Sequence, residues 1–196
     1  SITTAVSLVA GVLIAFTSSS IITTKGEPSY QFDLVKVMAK PAVYGDGCHV
    51  NYGETKSGYC TYGDKESSQT IVLYGDSHAA QWFPTLEKLA NERGFKLISL
   101  TKSACPAVEA QRRNQGAFRQ ADCSQWRKNS VERIAEIKPM AVITGNFHYY
   151  TPENEKVSRT AWWREGQRKL LNKLRGTTKN LIYISDTPRP LRDIPN

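Results

Sequence analysis

From residue 70 onward, short apolar runs alternate with longer stretches in which apolar positions recur every three or four residues. The short runs read as strands buried on both faces, and the longer stretches as amphipathic helices. The pattern predicts strands at 70–74, 95–100, 140–144 and 180–185, separated by helices at 80–93, 124–138 and 158–175. Strands joined by helices of that length require crossover connections. The expected fold is therefore α/β: a parallel sheet covered on both faces, a three-layer α/β/α sandwich. Ser124 is placed as an N-cap, and Gly94 as the glycine that closes the 80–93 helix.

The first 69 residues follow neither pattern. Residues 5–16 are uncharged and almost wholly apolar, and with Ile21 and Ile22 they approach the length of a membrane span. No basic residue precedes them, so a secretory signal fits poorly, and Ser and Thr at 17–20 and 23–24 leave the second half semi-polar. Residues 1–24 read as the end of a transmembrane helix, with a buried core helix as the alternative. Residues 25–69 read as a Gly-, Tyr- and Cys-rich extension outside the core, and residues 70–196 as the α/β domain.

Four cysteines fall as two local pairs in loop-like stretches, Cys48 with Cys60 and Cys105 with Cys123. Three connectivities are open to them, and the local one closes the shortest loops. A zinc site is the other reading, but the chain has no C-x-x-C spacing, and His49 is the only histidine beside a cysteine. Disulfides imply an oxidising compartment. The net charge of +8 invites a polyanion, yet Arg112, Arg113, Arg127, Lys128, Arg164, Arg168 and Lys169 are scattered instead of forming one block. A solvated surface is expected, with no nucleic-acid partner.

In an open parallel sheet, ligands collect beyond the carboxyl ends of the strands. Four successive predicted strands end in unusual residues: Asp76-Ser77-His78, Lys102-Ser103-Ala104-Cys105-Pro106, Gly145-Asn146-Phe147-His148 and Asp186-Thr187-Pro188. The run Ile71-Val72-Leu73-Tyr74-Gly75-Asp76-Ser77-His78 carries the most chemistry, because it delivers a serine to the turn between a strand and a helix. Acyl transfer through such a serine needs a base, a group that orients the base, and donors aimed at the developing oxyanion. Ser77 is the candidate nucleophile. Its own N–H, a backbone N–H from the Ser103–Cys105 turn and the Asn146 side-chain amide are the candidate donors. Asp76, His78 and His148 are candidate pocket residues. His78 is not expected to act as base, since neighbouring side chains diverge, and His148, flanked by Phe147, Tyr149 and Tyr150, reads as structural.

The Gly75-Asp76-Ser77 turn, continued by His78-Ala79-Ala80-Gln81-Trp82, resembles the first block of the SGNH (GDSL-like) hydrolase and acyltransferase superfamily. Within it, the chain resembles the extracytoplasmic domain fused to membrane acyltransferase-3 proteins that O-acetylate surface polysaccharides. Gly145-Asn146 resembles the superfamily's Gly-x-Asn block. Its second block centres on a glycine, where this chain has Ala104, which can donate its N–H but adopts positive φ only at a cost. The family's triad Asp and His lie in an Asp-x-x-His motif near the carboxyl terminus, and no such motif follows Asp186. The resemblance, over about residues 45–196, therefore implies a further segment carrying the base, and a chain nearly inactive as given.

What it implies for function is O-acyl transfer, most simply of acetyl, to a sugar hydroxyl of an envelope polysaccharide such as lipopolysaccharide. No cofactor and no metal are called for. The donor would come from the fused membrane domain, at the bacterial inner membrane, with the folded domain on its periplasmic side. Three alternatives stand beside this reading. One is a carbohydrate esterase of the same fold. Another is a catalytically incomplete glycan-binding or scaffolding module, with Trp162 and Trp163 stacking on sugars. The third is a two-metal phosphoesterase built from Asp76, His78, Asn146 and His148.

Overall fold

The computed structural model describes residues 39–109, 112 and 117–187. Apart from Ala39 they belong to the unit Lys40–Asn196. The expected apolar segment at 1–24 lies outside the described residues, and among those described no helix is long and apolar enough to cross a membrane.

Strands β3 (Thr70–Gly75), β4 (Lys96–Lys102), β5 (Ala141–Gly145) and β6 (Asn180–Ile184) form the parallel body of a six-stranded sheet. Their spatial order is β4-β3-β5-β6. The chain therefore leaves β3 toward one side and returns to the other, which puts the reversal of strand order at β3 and β5. Gly75 is in register with Thr101 on one side and Gly145 on the other, and Gly145 with Ile184. The carboxyl ends are thus level, and the residues after them share one edge of the sheet.

Alternation of side chains splits the core into two layers. Val72, Tyr74, Ile98, Leu100 and Val142 pack against Trp126 and Ile134 of α4 (Ala117–Ile137) and Leu170 and Leu174 of α5 (Arg159–Leu174). On the other face, Leu73, Leu97 and Ile143 pack against α2 (Ser77–Ala80) and α3 (Phe83–Arg93), through Ala79, Ala80, Phe83, Leu86 and Ala90. This is the expected α/β/α sandwich, and its four principal strands lie within two residues of the predicted ones.

The helices depart from expectation in two places. The predicted 80–93 helix is two helices, α2 and α3, divided at Gln81 and Trp82. Pro84, in the first turn of α3, has no N–H to bond back to Ala80, so one continuous helix cannot form. Gly94 does cap α3, in the left-handed region at φ 67° with its N–H bonded to the Ala90 carbonyl. Helix α4 begins at Ala117, so Ser124 lies within it and caps nothing. Its hydroxyl instead accepts from Arg127 Nη2 at 3.2 Å. Ser158 caps α5, accepting from the Ala161 N–H at 3.2 Å.

The stretch read as an extension outside the core also joins the sheet. After the short helix α1 (Ala42–Gly45), β1 (His49–Val50) runs parallel to the end of β4, and β2 (Thr61–Gly63) runs antiparallel to its beginning. Strands of two and three residues are too short for alternation to register in sequence. The disulfide Cys48–Cys60 joins this edge, and Cys105–Cys123 joins the turn after β4 to α4, each with a Cα–Cα distance of 5.6 Å. Loops of these lengths stabilise by about 3 kcal/mol each in the chain-entropy model.

The sheet closes tightly at Gly75. A Cβ there would meet the Gly145 carbonyl oxygen and sit 2.7 Å from the Ala79 Cβ. Gly75→Ala should destabilise by about 1–3 kcal/mol or more, read as a melting-temperature loss of roughly 2–4 °C per kcal/mol. Gly45→Ala, whose Cβ meets nothing within 4 Å, should leave stability unchanged or slightly raised. Equal effects of the two substitutions would contradict the close approach.

Candidate active site

The turn after β3 is organised by a buried carboxylate. Asp76 is fully buried and caps α2, its Oδ1 accepting from the His78 N–H at 2.8 Å. Its Oδ2 accepts from the Phe147 N–H at 3.0 Å and from the Tyr150 hydroxyl at 2.8 Å. Burial raises the Asp76 pKa above its ordinary value; the donors from Tyr150, His78 and Phe147 oppose that rise without cancelling it. Asp76 is thus a structural acceptor that ties the start of α2 to the loop after β5. Ser77 follows it as the first residue of α2, partly exposed, with a backbone N–H that has no intrahelical acceptor.

Asn146 follows Gly145 and is fully buried. Its Oδ1 accepts from the Ala107 N–H at 2.6 Å, which fixes the amide orientation, since an N–H must face the oxygen. The Nδ2 group is left buried with no hydrogen-bond partner among the described residues. An unpaired buried donor costs about 1–3 kcal/mol, and such costs recur where a ligand or reacting group completes the pairing.

The turn after β4 holds Ala104 at φ 51°, the left-handed conformation expected to be costly for it. Several contacts enforce it. The Ser103 N–H donates to the Val50 carbonyl at 2.9 Å, the Ser103 hydroxyl meets His49 Nε2 at 3.1 Å, and Cys105 is fixed by its disulfide. Arg112 Nη1 donates to the Ala104 carbonyl. His49 is kept neutral, its pKa pushed down to about 4 by burial and by the Lys102 charge. Lys102 belongs to a different structure from the crevice. Its Nζ donates to the carbonyls of Asn51 at 2.5 Å and Glu54 at 2.7 Å and lies 3.5 Å from Asp122 Oδ2, anchoring the segment between β1 and β2.

The two crevice histidines share one acid. His78 Nδ1 lies 2.5 Å from Asp186 Oδ1, and His148 Nδ1 lies 3.2 Å from Asp186 Oδ2, which also accepts from the His148 N–H at 3.2 Å. The Thr187 N–H adds a bond to Oδ1 at 2.9 Å. Burial pushes the Asp186 pKa up, but the bonds from His78, His148 and Thr187 outweigh it, and the carboxyl lies below its ordinary range. An ionised carboxylate only accepts, so each imidazole carries a proton on Nδ1. Among the described residues, neither ring is hydrogen-bonded to Ser77. Asp186, noted in sequence only for its place after a strand, is the residue that organises both histidines, across 108 and 38 positions. Local pattern carries no trace of pairing at that range.

The arrangement bears on the metal alternative through its donor set. The Asn146 oxygen that would ligate a cation already accepts from Ala107, and both Asp76 oxygens accept from protein donors. Among the described residues, no three His, Cys, Asp or Glu side chains converge to hold a metal.

A family model described as "SGNH domain (fused to AT3 domains)" matches residues 47–196. Among solved structures, the chain is similar to the periplasmic domain of a lipopolysaccharide acetyltransferase from Salmonella ser. Paratyphi A. That match has 16% identity and a TM-score of 0.47, and covers 74% of this chain and 49% of that one. The chain spans about half the length of that solved domain. No curated protein matches it.

The Asp186 clamp has a definite pH signature. A carboxyl whose folded pKa is depressed stabilises the fold above its unfolded value, near 3.8, and loses that contribution as pH falls through the folded value. The stability difference between wild type and Asp186→Asn should be largest near neutrality, about 1–3 kcal/mol. Denaturant unfolding at a series of pH values should show it shrinking below the ordinary carboxylate range. A difference independent of pH would contradict the clamp.

Proposed function

The chain belongs to the family of SGNH domains fused to AT3 domains, and on that footing we propose that it transfers an acyl group, most simply acetyl, to a sugar hydroxyl of an envelope polysaccharide through an acyl-serine at Ser77. The observation that carries this reading is the Asn146 amide, whose oxygen is fixed by Ala107 and whose Nδ2 is buried without a partner. It lies beside the serine turn: Asp76 precedes Ser77, Phe147 follows Asn146, and the two are hydrogen-bonded to each other.

In the proposed reaction, Ser77 Oγ attacks the acyl carbonyl of the donor and gives its proton to a base. The carbonyl oxygen becomes an oxyanion, met by Asn146 Nδ2 and the backbone N–H groups of Ser77 and Ala104. Collapse forms the acyl-serine and expels the donor's leaving group, which takes up the proton. The acceptor hydroxyl then attacks the acyl carbon, loses its proton to the same base and leaves as the ester, while Ser77 regains its proton. With water as acceptor, the same steps give an esterase. Asp186 holds a proton on Nδ1 of His78 and of His148, but neither ring is hydrogen-bonded to Ser77 among the described residues, so no base is assigned to either of them. Two disulfides support an extracytoplasmic setting. Fusion to AT3 domains in the family supports acyl supply by a membrane partner domain.

A fluorophosphonate applied to the intact protein should modify Ser77, located by peptide mass spectrometry, and Ser77→Ala should abolish both labelling and turnover. Asn146→Ala should lower turnover per folded molecule by roughly 100- to 1,000-fold with little change in KM, because the lost bond matters only once charge develops. Labelling at another residue, or turnover that survives Ser77→Ala and depends on added metal, would overturn the proposal.

A further inference from the structure

Three arginines stack on tyrosines in the segments that follow β1 and β5. The Arg112 guanidinium carbon lies 3.7 Å from the centroid of the Tyr150 ring, Arg119 lies 4.2 Å from that of Tyr52, and Arg159 lies 5.5 Å from that of Tyr149. Phe147 packs between the Tyr149 and Tyr150 rings, at 5.6 and 5.0 Å. The result is an aromatic surface edged with positive charge at the carboxyl end of the sheet.

Arg112 differs from the other two. It is half-buried, and burial pushes its pKa below the ordinary value against the pull of Tyr150 and Asp76. Its Nη1 donates to the Ala104 carbonyl, and no carboxylate among the described residues lies within ion-pair distance. Asp76, the nearest acid in its electrostatics, is already occupied by the Tyr150 hydroxyl and two backbone N–H groups. A half-buried guanidinium with no direct ion pair keeps N–H donors that a bound anion can satisfy. Its remaining N–H donors form a planar fork that matches a carboxylate or phosphate. Arg112 also touches both sides of the candidate site, bonding the Ala104 carbonyl on one turn and stacking on the ring that holds Asp76 beside Ser77.

We propose that Arg112 is an anion subsite of the acceptor, so that the sugar bound at this crevice carries a negative charge, as a carboxylate or a phosphate. This rests on the acyl-transfer reading of the site and adds the chemical class of its acceptor. The guanidinium supplies the discrimination between a charged sugar and a neutral one.

Titration calorimetry on the intact protein tests it with three probes: trigalacturonate, the neutral galactotriose of the same linkage, and galactose 6-phosphate. At least one anionic probe should bind about 10-fold or more tighter than galactotriose, weakening with added salt, and the preferred one identifies the charged group. Arg112→Gln should bring anionic and neutral probes to within about twofold, and Arg112→Lys should retain part of the preference. Both variants are assayed well below their own unfolding temperatures. Lost preference with galactotriose binding unchanged then reports the subsite, whereas equal loss of all probes reports the Ala104 turn and overturns it. Equal affinity for charged and neutral probes, no binding of any probe, or a preference that survives Arg112→Gln would overturn the proposal and leave Arg112 as a buttress of the Ala104 turn. Ser77→Ala should bind the anionic probe as wild type does. Failure of the subsite is thereby separable from failure of the acyl-serine, which the fluorophosphonate reads independently.

Discussion

A carboxylate removed from water must be surrounded by donors, and that requirement at Asp76 organises the whole carboxyl edge of the sheet. Its three partners come from two segments: His78 in the first turn of α2, and Phe147 and Tyr150 in the loop after β5. Each donor fixes a neighbour with chemistry of its own. The His78 N–H sets the turn that carries Ser77, and the Phe147 N–H sets the loop that carries Asn146. Tyr150 carries Arg112 on its ring, and Arg112 reaches the Ala104 carbonyl. Because the carboxylate is fully buried, losing a donor weakens an acceptor that water cannot easily reach, so the α2 turn and the loop after β5 hold together as a unit.

The crevice keeps two local costs that the rest of the fold must carry. Ala104 sits at positive φ, a conformation that costs an L-residue about 1–2 kcal/mol. Asn146 Nδ2 is buried without a partner. Both costs fall at the level ends of β3, β4 and β5, where strand order reverses, and the Cys105–Cys123 disulfide fixes the residue next to Ala104. Strain and one orphaned donor fall at the same edge, with well-packed layers below, which is the preorganisation that the proposed acyl transfer calls for.

Most of the architecture was legible in the sequence because strands buried on both faces read as continuous apolar runs, and their helices as periodic ones. Gly94 announced a helix end through chemistry local to the turn. Pro84 was legible in principle and was passed over, since the apolar period runs through it. Strands β1 and β2 were too short to show a period. The start of α4 was missed because Ser124 reads as an N-cap although the helix already runs from Ala117, and the tie from Asp122 to the Gly53 N–H is long-range. In the site, Ser77, Ala104 and Asn146 stood out by their place after strands. The shared clamp of Asp186 on His78 and His148, the Tyr150 bond to Asp76 and the stack of Arg112 on Tyr150 all join residues far apart in sequence. No local pattern encodes them.

In the proposed reaction the unpaired Asn146 amide donates to the oxyanion formed at Ser77. A crystal structure of the intact protein carrying a phosphonate on Ser77 would test this directly, because the phosphonyl oxygen stands in for the oxyanion of the tetrahedral intermediate. That oxygen should lie about 2.7–3.1 Å from Asn146 Nδ2, with the Asn146 Oδ1 bond to Ala107 retained. A phosphonyl oxygen turned to solvent, with Asn146 Nδ2 still unpartnered, would contradict the claim.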